Sequence, residues 1–366
     1  MFYDVAVVGA GVFGAWSAYK LRKQGASVLL LDAYGPGNSR ASSGGESRMI
    51  RMGYGPDEIY SRMAQHSLHL WRELFGERHN LFVKTGILWL ARDQDPYCTA
   101  TLTTLERLGV NHERLDHEEI AQRYPQLKPG AVGWGILEPD SGVLLARRAV
   151  QAVAAEARAI GVDYREAAIT SPIIDAVADR YVYACGPWLP KLFPELLRER
   201  IHVTRQEVVF FGVPPGDERF NVGMLPCCID FNDLVYALPN IEGRGLKIAI
   251  DAHGPEFDPD SGERVVTTSG LNAVREYLAQ RLPLLANAPV TETRVCQYEN
   301  TSNGDFLIDK HPEFENVWLV GGGSGHGFKH GPAVGEYVAQ MLSGNGAPEP
   351  RFSLATKEKV QERKVF

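Results

Sequence analysis

Two glycine-rich segments at opposite ends of the chain carry the residue types that grip a long anionic cofactor. The first, Gly9-Ala10-Gly11-Val12-Phe13-Gly14, directly follows the apolar run 5–8. Glycines at this spacing permit a tight turn, close approach of the backbone to a pyrophosphate, and close packing of a helix on a strand. The N-terminus of that helix offers unpaired N–H groups and the positive end of its dipole. Asp32 follows about twenty residues later, where a carboxylate accepts hydrogen bonds from an adenosine ribose. The second segment, Gly321-Gly322-Gly323-Ser324-Gly325-His326-Gly327-Phe328-Lys329, follows Val317-Trp318-Leu319-Val320. A nicotinamide domain needs only the first loop. Two loops that each leave an apolar strand and enter a helix suit a ligand of the length of FAD. Gly9, Gly11, Gly14 and Asp32 at one end, with Gly323, Gly325, His326, Gly327 and Lys329 at the other, are the expected cofactor contacts.

These residues need a frame. Residues 3–8 form a short, continuous apolar run, as a buried parallel strand does. Residues 11–24 read as a helix stopped by Gly25, and 27–31 as a second strand, completing a β-α-β unit. Residues 34–55 are loop-like, 56–75 helical, 86–91 a strand and 98–108 a helix. An alanine-rich helix at 146–160 leads to strands at 162–165 and 181–184. From 201 to 250 the pattern changes to strands separated by turn residues, at 203–211, 234–238 and 246–250. A helix is expected at 274–282. Strands of the first, parallel kind return at 306–308 and 317–320, followed by a helix from about 332 to 342. The fold class expected is α/β: a discontinuous, Rossmann-like FAD-binding domain (1–83, 141–200 and 294–366). A mainly antiparallel-sheet α+β substrate domain (84–140 and 201–293) is inserted into it.

Bulk properties narrow the function. With 366 residues the chain suits two domains. A net charge of −7 with no basic block argues against nucleic acid. No apolar run approaches the ~20 residues of a membrane span. Asp4 interrupts the N-terminal apolar stretch and no basic region precedes it, so no signal peptide is expected. The C-terminal Lys364-Val365-Phe366 matches no peroxisomal address. Five cysteines, an odd number without metal-type spacing, fit a reducing cytoplasm and no metal site.

Further motifs point to a family. The stretch 42–54 (Ser-Ser-Gly-Gly-Glu-Ser-Arg-Met-Ile-Arg-Met-Gly-Tyr), the strand 180–188 (Arg-Tyr-Val-Tyr-Ala-Cys-Gly-Pro-Trp) and Asp305-Phe306-Leu307-Ile308-Asp309 with Ser324–Lys329 resemble the monomeric sarcosine oxidase group. That group includes N-methyltryptophan oxidase and pipecolate oxidase, within the D-amino-acid-oxidase-like flavoproteins. The resemblance spans nearly the whole chain. It implies FAD, a secondary-amine or amino-acid substrate and oxygen as oxidant, giving hydrogen peroxide, in a monomer or small homo-oligomer.

The resemblance also implies roles. Cys296, in Arg294-Val295-Cys296-Gln297-Tyr298, matches a cysteine that bonds the flavin 8α carbon. A thiolate suits that bond when a neighbouring cation such as Arg294 or Arg48 lowers its pKa. Arg51 and Lys329 match the pair that grips the substrate carboxylate, a fork and a point charge. Ser42 and Arg48 belong beside the flavin. Lys247, a charge within an apolar strand, matches an oxygen-activating lysine, since a fixed cation stabilises superoxide. Tyr54, Tyr236 and Tyr298 match pocket or flavin-adjacent tyrosines. Two positions depart from the sarcosine-preferring pattern: Gly44 and Asp251 stand where it has histidines. The first is expected to enlarge the pocket and the second to make it more acidic, favouring a substrate larger than sarcosine. A rival reading keeps FAD but passes electrons to a quinone or partner protein. Another makes the chain a flavin-binding subunit of a larger complex.

Overall fold

β1 (Tyr3–Val8), α1 (Val12–Lys23) and β2 (Val28–Asp32) form the expected β-α-β unit in the computed structural model, which describes residues 2–76, 80–172 and 177–361. The expectation about Lys364-Val365-Phe366 lies outside the described residues. β1 and β2 are buried almost throughout, as strands covered on both faces are. β1 pairs in parallel with β2 and with Ala178–Tyr183, which pairs in parallel with Val317–Gly321. The six-stranded sheet runs Leu307–Lys310, Val317–Gly321, Ala178–Tyr183, β1, β2, Asp163–Glu166. Both glycine loops therefore leave parallel strands at the same edge of one sheet, with a single strand between them. Leu307–Lys310, expected among the parallel strands, pairs antiparallel with Val317–Gly321. The short connection 311–316 explains this: a parallel crossover needs roughly a dozen residues or more.

The second sheet has eight strands, in the order Val290–Thr301, Ile201–Phe211, Leu246–Ile250, Val235–Leu238, Cys227–Asp230, Ile87–Ala91, Trp134–Glu138, Glu113–Asp116. All neighbours are antiparallel except Cys227–Asp230 beside Ile87–Ala91, two strands far apart in sequence. Leu88, Leu90, Val209, Phe211 and Ile248 share a core with Val274 and Leu278 of the helix Thr268–Arg281. That helix starts six residues before the expected 274, at a Thr267 cap whose side chain accepts from Gly270 N. The strand Val290–Thr301 was not expected, and a division at 294 falls inside it. Within the stretch read as loop, Arg48–Ile50 pairs with Gly142–Leu144, which also pairs with Phe82–Val83. No helix among the described residues is long and apolar enough to cross a membrane.

Candidate active site

The edge carrying both glycine loops borders a groove of about 370 Å³, which runs from Asp32 and Tyr34 past Gly9 and Gly11 to Arg48 and Cys296. Gly9 turns with φ +102°, and a Cβ there would meet Ala184 O at 2.4 Å, so only glycine fits. Gly14 does not line the groove. A Cβ there would lie 1.8 Å from Gly9 O, so its role is to let α1 close on the turn. Asp32 Oδ2 accepts from Ala10 N at 2.7 Å and Oδ1 from Tyr34 N at 2.9 Å. This fixes the carboxylate with lone pairs to spare. Ser43 Oγ accepts from Val12 N at 3.0 Å, bringing the 42–44 segment against the start of α1. Ser42, Gly323, Gly325 and Gly327 also line the groove. His326 does not come to it. Ser324 and Gly325 both take positive φ, and the His326 ring turns inward to stack on Phe306, with Nε2 3.0 Å from Gly304 O. The turn at Gly9, the fixed carboxylate of Asp32 and the Arg48–Cys296 end suit the pyrophosphate, ribose and flavin ring of FAD in that order.

At the Cys296 end, Arg48 Nη2 donates to Cys296 Sγ at 3.2 Å and to Ser42 O at 2.9 Å. Arg294, the other cation expected beside the thiol, is held by Glu46 at 2.7 Å and Glu292 at 3.0 Å. Lys247 is buried, and its Nζ donates to Ser47 O at 2.8 Å, 5.8 Å from the Tyr236 ring centre. Burial, and then the charge of Arg48, push the Lys247 ammonium down to about 7. It faces inward because Leu246–Ile250 is covered on both faces over most of its length.

A second group of charges gathers around Tyr54. Lys329 is buried, and its Nζ donates to Tyr54 OH at 2.8 Å and His326 O at 3.0 Å. Lys329 thus leaves the cofactor groove for this group. The Arg51 guanidinium lies 4.3 Å from the Tyr54 ring centre and 4.8 Å from that of Trp89, and Nη1 donates to Gly53 O. Burial, then Arg51, hold Lys329 well below its ordinary range. Tyr298, which lines the groove, donates to Asp251 Oδ1 at 2.7 Å. Burial raises Asp251, while Tyr298, Arg51 and Lys329 oppose the rise. Tyr236 lies beside these groups and is raised mainly by burial.

Two residues that the sequence did not single out support this arrangement. His330 Nε2 lies 2.7 Å from Tyr54 OH, and burial keeps its ring neutral. Its only signal was adjacency to Lys329. Glu138, also buried, accepts from Met52 N (2.7 Å), Gly53 N (3.0 Å), Trp89 Nε1 (2.8 Å) and Ser141 Oγ (2.6 Å). It locks the turn after Arg51 and the indole on which Arg51 stacks. Glu138→Gln puts an NH2 where donors already point, and a buried donor left without an acceptor costs about 1–3 kcal/mol. Urea unfolding is expected to show a loss of about 2–4 kcal/mol.

The expected enlargement at Gly44 is not found. A Cβ there would lie 1.8 Å from Asn38 O, so the missing side chain is replaced by packed backbone rather than open space.

Residues 4–341 match the model of the FAD dependent oxidoreductase family. The chain is 32% identical to a monomeric sarcosine oxidase of Bacillus sp. (strain B-0618), over 99% of each chain. It is 28% identical to an N-methyl-L-tryptophan oxidase of Escherichia coli, over 93% of this chain and 95% of that one. Among solved structures, an L-proline dehydrogenase from P. horikoshii superposes with a TM-score of 0.83 at 22% identity, covering 96% of this chain and 97% of that one. The groove, its glycine loops and these matches agree: the chain belongs to the FAD dependent oxidoreductases.

Proposed function

We propose that this enzyme oxidises the C–N bond of an N-substituted amino acid, N-methyl or cyclic, with oxygen as acceptor and hydrogen peroxide as product. The observation that carries this reading is the convergence of Arg51 and Lys329 on Tyr54. Tyr298 and Asp251 link that group to the groove. FAD, when bound, supplies the two-electron acceptor for the C–N bond. Arg51 and Lys329 take the substrate carboxylate, whose charge offsets the mutual repulsion and burial that weaken the Lys329 ammonium. Asp251 gives the neighbouring amine an acidic partner, with Tyr298 fixing its carboxyl. Stacking on Tyr54 and Trp89 holds the Arg51 fork in one plane, so the substrate docks in one orientation.

Lys247 favours oxygen over a quinone as the acceptor, because it is a buried cation held by Ser47 beside Arg48 and Cys296 at the ring end of the groove. Purified protein should be screened against N-methyl and cyclic amino acids without oxygen, following flavin bleaching. Peroxide yield per turnover is then measured. Bleaching without peroxide on re-aeration would favour a dehydrogenase, and absence of bleaching by any amino acid would sink the reading.

The Arg48–Cys296 contact, which holds the sulfur at the ring end of the groove, supports a covalent link from Cys296 to the flavin. Acid precipitation is expected to leave a yellow pellet. Cys296→Ala should move the colour to the supernatant while FAD still binds through Asp32 and the glycine loops. A colourless wild-type pellet ends this claim. The five cysteines are all free thiols, which fits a reducing cytoplasm.

A further inference from the structure

Glu299 lies near the end of the strand Val290–Thr301, and its carboxyl group borders the groove without a part in the site described above. Its Oε2 is buried and has no hydrogen-bond partner among the described residues. Two glycines provide its space: a Cβ at Gly186 would lie 2.8 Å from Oε2, and one at Gly323 would lie 3.2 Å from Oε1. Ser324 N donates to Glu299 O at 3.0 Å, which pins the residue to the second glycine loop. Few buried polar atoms stay unpaired in proteins, because the loss of hydration is not recovered. One that borders a ligand groove is satisfied by the ligand.

Position along the groove selects the part of the ligand. Across the sheet, β2 carries Asp32 for the ribose and β1 leads to Gly9 and Gly11 for the pyrophosphate. The next two strands, Ala178–Tyr183 and Val317–Gly321, lead to Gly186 and Gly323, which flank Glu299. Arg48 and Cys296 mark the ring end. Between pyrophosphate and ring, FAD has its polyhydroxyl ribityl chain. We propose that the Glu299 carboxyl group binds FAD by hydrogen-bonding the ribityl hydroxyls, a contact that rests on the FAD reading of the groove.

The chemistry fits that segment. Burial alone pushes the Glu299 carboxyl up to about 8. Near neutral pH it is an uncharged acid that both donates and accepts, and it adds no repulsion beside the phosphates. The charged or titratable groups that line the groove with it are Asp32, Tyr34, Cys185, Lys191 and Asp260 on the sheet and mouth sides, with Arg48, Cys296 and Tyr298 at the ring end. Glutamine at 299 keeps all of them in place.

The test measures binding, not turnover. In a Cys296→Ser background, which keeps association reversible, flavin-free full-length protein is titrated with FAD and with FAD analogues lacking single ribityl hydroxyls. Binding is read from quenching of flavin fluorescence. Glu299→Ala is expected to weaken FAD about tenfold and Glu299→Gln by no more than about threefold. The alanine penalty should shrink for at least one deoxy analogue. Affinity of the parent should fall as pH rises through about 8, while Glu299→Gln stays level. The proposal is overturned if Glu299→Ala binds FAD as the parent does, or if its penalty is the same for every analogue. A parent that binds no flavin would instead overturn the FAD reading, and this contact with it.

Discussion

Lys247→Met is expected to slow reoxidation of the reduced enzyme by oxygen by about 100-fold or more, with anaerobic reduction by substrate nearly unchanged. Loss of a fixed charge at a developing anion costs about that much. The split between half-reactions follows from position: Lys247 is held by Ser47 and feels Arg48 first among charged neighbours, whereas the substrate carboxylate is assigned to Arg51 and Lys329. The expected pH dependence has a definite sign. The Lys247 ammonium is pushed down to about 7, so the charged form predominates below that pH and is lost above it. Reoxidation should therefore slow as pH rises through about 7 in the wild type and stay level in Lys247→Met. Stopped-flow mixing of reduced enzyme with oxygen checks both. Equal slowing of the two half-reactions would assign Lys247 to structure or substrate instead.

The parts of this site that were legible in the sequence are those with a local signature. The turn at Gly9, Asp32 and the second glycine loop each sit where an apolar strand ends, and their spacing carries their meaning. The strand Val290–Thr301 lacks such a signature. Its first residues alternate between exposed and half-buried, and Glu292 and Arg294 face partners such as Arg244 and Glu46 rather than an apolar core. Its strand character comes from pairing along Ile201–Phe211, a partner distant in sequence. Glu138 was invisible for a related reason. Most of its donors lie 49 to 86 residues away, and nothing near position 138 announces them. Gly44 illustrates the converse error: a missing side chain reads as space, but the Asn38 carbonyl fills it. His326 looked like part of a cofactor loop until the positive φ angles at 324 and 325 turned it toward Phe306.

Arg51→Ala is expected to weaken amino-acid substrates by at least about 30-fold and simple secondary amines only slightly. Truncating one partner of a buried, hydrogen-bonded charge pair costs about 2–5 kcal/mol. Arg51 also packs on Tyr54 and Trp89, so Arg51→Lys serves as the control. Lysine keeps the charge but loses the planar fork and should recover part of the affinity. With Gly44 filled by backbone, substrate choice rests on Asp251 alone of the two departures. Asp251 is tied to Tyr298 and lies close enough to Arg51 and Lys329 to feel both charges. An ionised Asp251 leaves the pocket one positive charge short of what two cations alone would give, which favours a substrate bearing a second cationic group. Such N-substituted amino acids should outperform sarcosine, measured as the limiting rate of anaerobic flavin reduction divided by the substrate dissociation constant. Asp251→Asn should remove that preference while leaving the carboxylate requirement intact. Burial raises Asp251 above its ordinary range, so the preference should be strongest at higher pH, where the carboxyl is ionised, and fade as pH falls. Sarcosine as the best substrate of the panel, or an Arg51→Ala enzyme that loses amines and amino acids alike, would contradict this account of the pocket.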